Sequence, residues 1–218
     1  GTASGPGRGG GEAHAGAERH LRRDHRPAGG LLRPADLDFG PIDMMIIEST
    51  YSQAEQTPRE QSERELVEFC YEVIGRGGTM FIPSFSVERA QEIACVLEAY
   101  DFKHKVVMDG MALKANEIMS RHPAYLRDPE MFKRAIGGAE WITGWSRRKK
   151  VASEPCVIIS PAGMLVGGSA IFYTQAIMNN EKNGIALVSY QGEGTPGRML
   201  LDKRVASFDG KMHKCYAD

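Results

Sequence analysis

The chain has 218 residues, 42% hydrophobic and 25% charged, with a formal net charge of -1, a composition that excludes a disordered or fibrous protein. Its apolar runs are far shorter than a bilayer requires and no charged-then-apolar leader opens it, so no membrane partner is expected and the cytoplasm is the expected compartment. A near-neutral total gives no general argument for nucleic acid, although it can hide a local basic groove.

Residues 1–30 are largely Gly, Ala, Arg and His, with Leu21 the only large apolar side chain. Such a leader cannot offset its ordering entropy and is expected to be disordered or to come from a shifted reading frame. From Leu31 onward, apolar runs read as central strands at 44–50 (MMIIEST), 78–84 (GTMFIPS), 104–110, 140–145, 155–161 and 184–190. Between them the apolar residues fall at helical spacing. Leu66, Phe69, Cys70, Val73 and Ile74 share one face of a helix that Thr57 and Glu60 would open as a capping box, with Pro58 at its first position. A second helix is predicted over 87–100, capped by Ser86, and others over 112–121, 129–136 and 168–178. Cys70, Cys95, Cys156 and Cys215 have no CxxC spacing and read as reduced core thiols. Strands alternating with amphipathic helices give an α/β three-layer sandwich with a mainly parallel central sheet, whose strand C-terminal ends form the ligand edge.

Hydroxyl and glycine residues collect at that edge. Glu48 follows the first apolar run, and an acid there is either a functional group or a solvated strand end, cap or ion-pair partner. Ser84 follows the second run. The loop SPAGMLVGGSA, 160–170, either offers backbone N–H groups to an anion, with Gly167 and Gly168 allowing close approach, or is a turn joining strand to helix. Arg89, Arg198 and the run Ser146 to Lys150, with Arg147 and Arg148, could meet phosphates or be solvated surface. GEGTPG, 192–197, matches a dinucleotide-binding turn, but Pro196 interrupts it and little helix follows. His104 and His122 read as strand-edge and helix-end residues, and no histidine pair has metal-binding spacing.

In this order, LLRPADLDFGPIDMMIIESTYS, GGTMFIPSFSVERAQE, VVMDGMALKANEI, CVIISPAGMLVGGSA and SYQGEGTPGRMLL resemble the β-CASP branch of the metallo-β-lactamase superfamily, the ribonucleases akin to the nuclease subunit of the cleavage and polyadenylation factor. The resemblance implies a β-CASP domain over 46–205. Around it would lie remnants of a metallo-β-lactamase αββα domain, the end of one part at 31–45 and the start of a return at 206–218. It implies RNA as partner, allows a homodimer of the intact protein, and implies zinc-dependent hydrolysis of RNA phosphodiesters with two Zn2+ ions held by the lactamase part. Glu48 would be the acidic residue that orients a histidine proton donor. Ser84, Arg89, Ser160, Gly163, Gly167 and Gly168, and then Arg147 to Lys150, would meet RNA phosphate. Asp24 is the one candidate metal-bridging residue. The family's histidine-rich metal signature has no counterpart here, so the chain alone is expected to be an inactive fragment. A non-catalytic β-CASP scaffold and a nucleotide-binding oxidoreductase domain built on GEGTPG remain as alternatives.

Overall fold

The computed structural model describes residues 30–34, 38, 40–47, 49, 51–52 and 55–218. In chain order its elements are α1 (Arg59–Gly75), β1 (Met80–Pro83), α2 (Arg89–Ala99), β2 (Val106–Asp109), α3 (Ala112–Arg121), α4 (Pro129–Gly138), β3 (Glu140–Ile142), α5 (Trp145–Val151), β4 (Val157–Ser160), α6 (Gly168–Ile177), β5 (Gly184–Ile185), α7 (Pro196–Lys203), β6 (Val205–Phe208) and β7 (Lys211–Lys214). The first five strands form one parallel sheet in the order β3-β2-β4-β1-β5, and β6 and β7 pair antiparallel as a separate hairpin.

Strand alternation divides the core between the two faces of the sheet. Met80, Ile82, Met108, Val157 and Ile159 pack with buried residues of α1 to α4, among them Cys70, Val73, Leu97 and Phe132. Phe81, Val107 and Ile158 pack on the other side with Val151 of α5, Tyr173 of α6, Leu200 of α7 and Phe208 of the hairpin. Both faces are therefore covered, as the unbroken apolar runs require, and the three-layer α/β expectation holds. Leu31 is buried in the first of these clusters, and Leu32 bridges Leu126. All four cysteines are free, and burial pushes the thiols of Cys70, Cys95 and Cys156 up to about 12, which leaves them unreactive. Among the described residues no helix is long and apolar enough to cross a membrane.

Several local expectations are corrected. Residues 44–47 form no strand, and Met44 and Ile46 are 80% and 92% exposed. A strand needs a neighbour for its amides and carbonyls, and among the described residues nothing pairs with this run. The run at 184–190 yields only the two-residue edge strand β5 rather than a central strand. At α1 the Thr57 capping box does not form: Pro58 occupies the cap position and no side chain caps the helix. Ser86 does not cap α2 either, since the cap position is Glu88, and the Ser86 carbonyl instead accepts from the buried Gln91 side chain at 3.0 Å. The basic run at 146–150 is helical within α5, where no helix was expected.

Ile158 lies at the centre of β4, the middle strand, and is fully buried. Urea unfolding is expected to show Ile158→Ala losing about 2–5 kcal/mol and Ile158→Val about 0.5–1.5 kcal/mol, the difference being the cavity left behind.

Candidate functional site

After β2 the chain passes through α3 and α4 to β3, its neighbour on one side. After β4 it passes through α6 to β5, beyond β1 on the other. Connections that diverge from adjacent strands leave a crevice outside their carboxyl ends, where open α/β sheets bind ligands. Asp109 ends β2 and Ser160 ends β4, one on each lip of that crevice.

Asp109 is buried, its side chain 1% exposed, yet it meets four donors. Arg148 of α5 binds it through Nε at 2.5 Å and Nη2 at 2.8 Å, the Tyr173 hydroxyl of α6 donates at 2.7 Å, and the Gly110 amide donates at 2.6 Å. Burial, and then the neighbouring carboxylate, push the Tyr173 hydroxyl well above its ordinary range, so it stays a donor. Gly110 has φ +71, and a Cβ there would come within 3.0 Å of Ser169 Oγ and 3.1 Å of Pro161, so only glycine lets the β2 end lie this close to the β4 end.

Across the crevice Ser160 Oγ and Ser169 Oγ lie 2.5 Å apart, and Ser169 Oγ and the Ala170 amide both donate to the Pro161 carbonyl, at 3.2 and 2.9 Å. These bonds fold the 160–170 loop back onto the start of α6. Gly163 is wedged: a Cβ would meet Ser189 Oγ at 3.0 Å and the Phe85 amide at 3.3 Å. Gln191, buried, donates to the carbonyls of Gly163 and Ser189 at 2.9 and 2.8 Å and holds the loop from the other side. The amides of Gly163, Gly167 and Gly168 have no backbone acceptor among the described residues, and Ser84 Oγ and Ser189 Oγ are buried without a partner. Gly163 and the two hydroxyls are buried, so the donors the braced loop presents to an anion are the amides of Gly167 and Gly168.

The structure brings together some of the residues singled out from sequence and separates others. Ser84 and Ser160 meet through their backbones, with the Ser84 amide donating to the Ser160 carbonyl at 3.1 Å, and Gly163, Gly167 and Gly168 share the same loop. Arg89 is committed elsewhere: its guanidinium lies 2.5 Å from Glu92, which Arg59 also binds at 2.6 Å. Arg147 points away from the crevice. It binds Glu140 and Glu154 beside Lys105, residues that precede or open β3, β4 and β2 and so mark the opposite edge of the sheet. Arg148 reaches the crevice but is spent on Asp109. Either arginine would have to leave a carboxylate to meet phosphate. Glu48 and Asp24 lie outside the described residues.

In GEGTPG, Thr195 accepts from the Arg198 amide at 3.2 Å and caps α7, with Pro196 at its first turn. That helix leads into an antiparallel hairpin rather than a parallel strand, so the dinucleotide geometry is not built. Asp109, Ser169, Ser189 and Gln191 belong to the site although sequence reading gave them no role. Asp109 sat in the correct strand-end position, and only its burial tells a structural carboxylate from a solvated one.

A model described as the Beta-Casp domain matches residues 90–200. RNase aCSPSF2 of Saccharolobus solfataricus is 36% identical over 173 residues, covering 79% of this chain and 35% of that protein. Transcription termination factor FttA of Methanocaldococcus jannaschii is 40% identical over 192 residues, covering 78% and 29%. Probable RNase MJ4 of the same organism is 32% identical over 178 residues, covering 79% and 42%. This chain therefore spans between 29% and 42% of the length of these relatives.

Two measurements test the charge assignments. Arg148→Ala strands the Asp109 carboxylate and is expected to lower stability by about 3–5 kcal/mol in urea unfolding, with the Asp109→Ala, Arg148→Ala double variant losing less than the sum of the two. At the opposite edge Arg147, ahead of Lys105, holds the Glu140 carboxyl at about 2 against an ordinary 4.5. A depressed folded-state value means that this stabilisation is present above about 4.5 and is lost as pH falls toward about 2. Across that window Glu140→Gln should flatten the decline of unfolding free energy with falling pH.

Proposed function

The chain belongs to the β-CASP family, and on that premise we propose that it is the RNA-clamping part of a zinc-dependent ribonuclease that cuts RNA phosphodiesters in the cytoplasm. The names of the relatives, two of them RNases and one a transcription termination factor, support a substrate of RNA. In this reading residues 46–205 are the β-CASP domain, flanked at 31–45 and 206–218 by pieces of a metallo-β-lactamase domain. The intact protein forms a homodimer.

The observation that carries the proposal is the braced 160–170 loop, whose Gly167 and Gly168 amides are unspent at the start of α6, while Gly163 is buried and packs the loop against Ser189 and Phe85. A backbone phosphate placed there accepts N–H bonds at the start of the ten-residue helix α6, where the helix dipole also favours negative charge. Ser84 and Ser160 are fully buried at the same strand ends, and the Ser160 hydroxyl is bonded to Ser169, so they support the loop from beneath rather than meeting phosphate directly. These contacts hold the strand without reading its sequence. Arg89 and Arg147 serve phosphate only by releasing their present carboxylates.

The zinc ions do not fit the described residues, which contain no group of three His, Cys, Asp or Glu side chains able to hold a metal. The chemistry these residues supply is binding and positioning. Glu48 is retained as the acid that orients a histidine proton donor, and Asp24 as a candidate metal ligand.

Gly167 is extended, with φ 177, and has open space around it, so a larger side chain leaves the fold intact while blocking close approach of a phosphate. Fluorescence anisotropy with a labelled single-stranded RNA should show binding that weakens steeply with salt. Gly167→Val should weaken it about tenfold, the equivalent of ~1.4 kcal/mol, at unchanged melting temperature. Equal affinity in the variant would remove the loop from the RNA path.

A further inference from the structure

Helix α5 distributes its basic run unevenly. Arg147 is paired with Glu140 and Glu154, Arg148 with Asp109, and Lys150 lies 3.9 Å from Glu154. Lys149 has no carboxylate among the described residues. Its ammonium lies instead over the Trp145 ring, 5.8 Å from the centroid. Trp145, at the head of the same helix, is 52% exposed, an unusual position for the largest apolar side chain.

The ring is exposed but not loose. Phe172 of α6 packs against it with centroids 4.8 Å apart, and the Arg148 guanidinium lies 5.2 Å from its centroid. Arg148 is itself fixed by two bonds to the buried Asp109 carboxylate. A ring held by a neighbouring aromatic and a pinned guanidinium has already lost the freedom that binding would otherwise remove. Two residues separate it from the end of β3, so it lies at the strand C-terminal edge that also carries Asp109, Ser160 and the glycine loop.

An exposed, immobilised indole beside an unpaired lysine, on the edge that carries unspent anion donors, has the chemistry of a single-strand stacking platform. We infer that Trp145 stacks a base of single-stranded RNA while Lys149 swings from the ring to the adjoining phosphate, an inference that rests on the RNA-binding reading above. The cation over the ring holds the place of the base until RNA arrives. Stacking of this kind is sequence-tolerant, because every base has a π-face. It also accounts for why this one lysine of the run is left without a carboxylate.

The chain has two tryptophans, and Trp141 is half-buried with its indole N–H bound to the Ile136 carbonyl at 2.9 Å, so Trp145 dominates any quenching by a base. A short oligoadenylate titrated into the 218-residue chain is expected to quench tryptophan fluorescence as it binds. Trp145→Ala should abolish the quench and weaken binding about 5- to 150-fold, the range that ~1–3 kcal/mol per stacked base implies. Trp145→Phe should keep most of the affinity. Lys149→Ala, an exposed change that does not threaten the fold, should lower the slope of log affinity against log salt by about 0.7, one phosphate contact. Unchanged affinity in Trp145→Ala, or an unchanged salt slope in Lys149→Ala, overturns the inference while leaving RNA binding by the loop intact; the exposed ring would then face a protein partner. Absence of oligoadenylate binding by the unaltered chain overturns both.

Discussion

A carboxylate taken out of water must be surrounded by donors, and at Asp109 the donors come from three elements. Arg148 arrives from α5, Tyr173 from α6 and the Gly110 amide from the turn after β2. Desolvating this group costs several kcal/mol before its partners offset the loss. The arrangement ties the end of β2 to α5 and α6, two of the three helices that pack on that face of the sheet. Because α6 starts from the glycine loop and α5 carries Trp145, the position of the candidate phosphate donors and that of the exposed ring both depend on one buried charge.

The same helix shows how a single basic run can serve opposite edges. Successive residues on a helix point about 100° apart, so neighbours in sequence face different surroundings. Arg147 closes an ion-pair network with Glu140, Glu154 and Lys105 at the strand N-terminal edge. Arg148 braces the C-terminal edge, and Lys149 is left to the ring of Trp145. Charge counted along the sequence therefore overstates what is available to phosphate. Of the basic run, Lys149 alone has no carboxylate among the described residues, and with the backbone donors of the glycine loop it makes up the binding surface proposed above.

Much of the fold was legible because its signals are local. Unbroken apolar runs bounded by glycine and proline gave β1, β2, β3 and β4, and the spacing of Leu66, Phe69, Cys70, Val73 and Ile74 gave the inward face of α1, on which Cys70, Val73 and Ile74 are buried together with Val67 while Leu66 and Phe69 are partly buried. The failures share a cause. MMII has the composition of a strand, but strand formation requires a neighbour, and among the described residues it has none. Thr57 and Ser86 have the right identity for caps, yet the chain enters α1 through Pro58 and α2 through Glu88 at φ 70, which sets the cap elsewhere. The helix at 145–151 went unseen because only Val151 of it is buried, so it has no apolar periodicity to read.

The sequence by itself determined the layers, the parallel sheet, the edge on which functional groups gather and, through the order of its motifs, the β-CASP resemblance. These follow from periodicity and strand-end composition, which neighbours along the chain settle between them. Only the tertiary structure decided which charged residues are free. Asp109 and Arg148, apart in sequence by the whole span from β2 to α5, cancel each other. Arg89 is held by Glu92, and Lys149 is not held by any acid described. The Arg89–Glu92 pair is three residues apart on α2 and follows from helical spacing, but the Asp109–Arg148 pair depends on distances across the fold that no pattern of neighbours along the chain encodes.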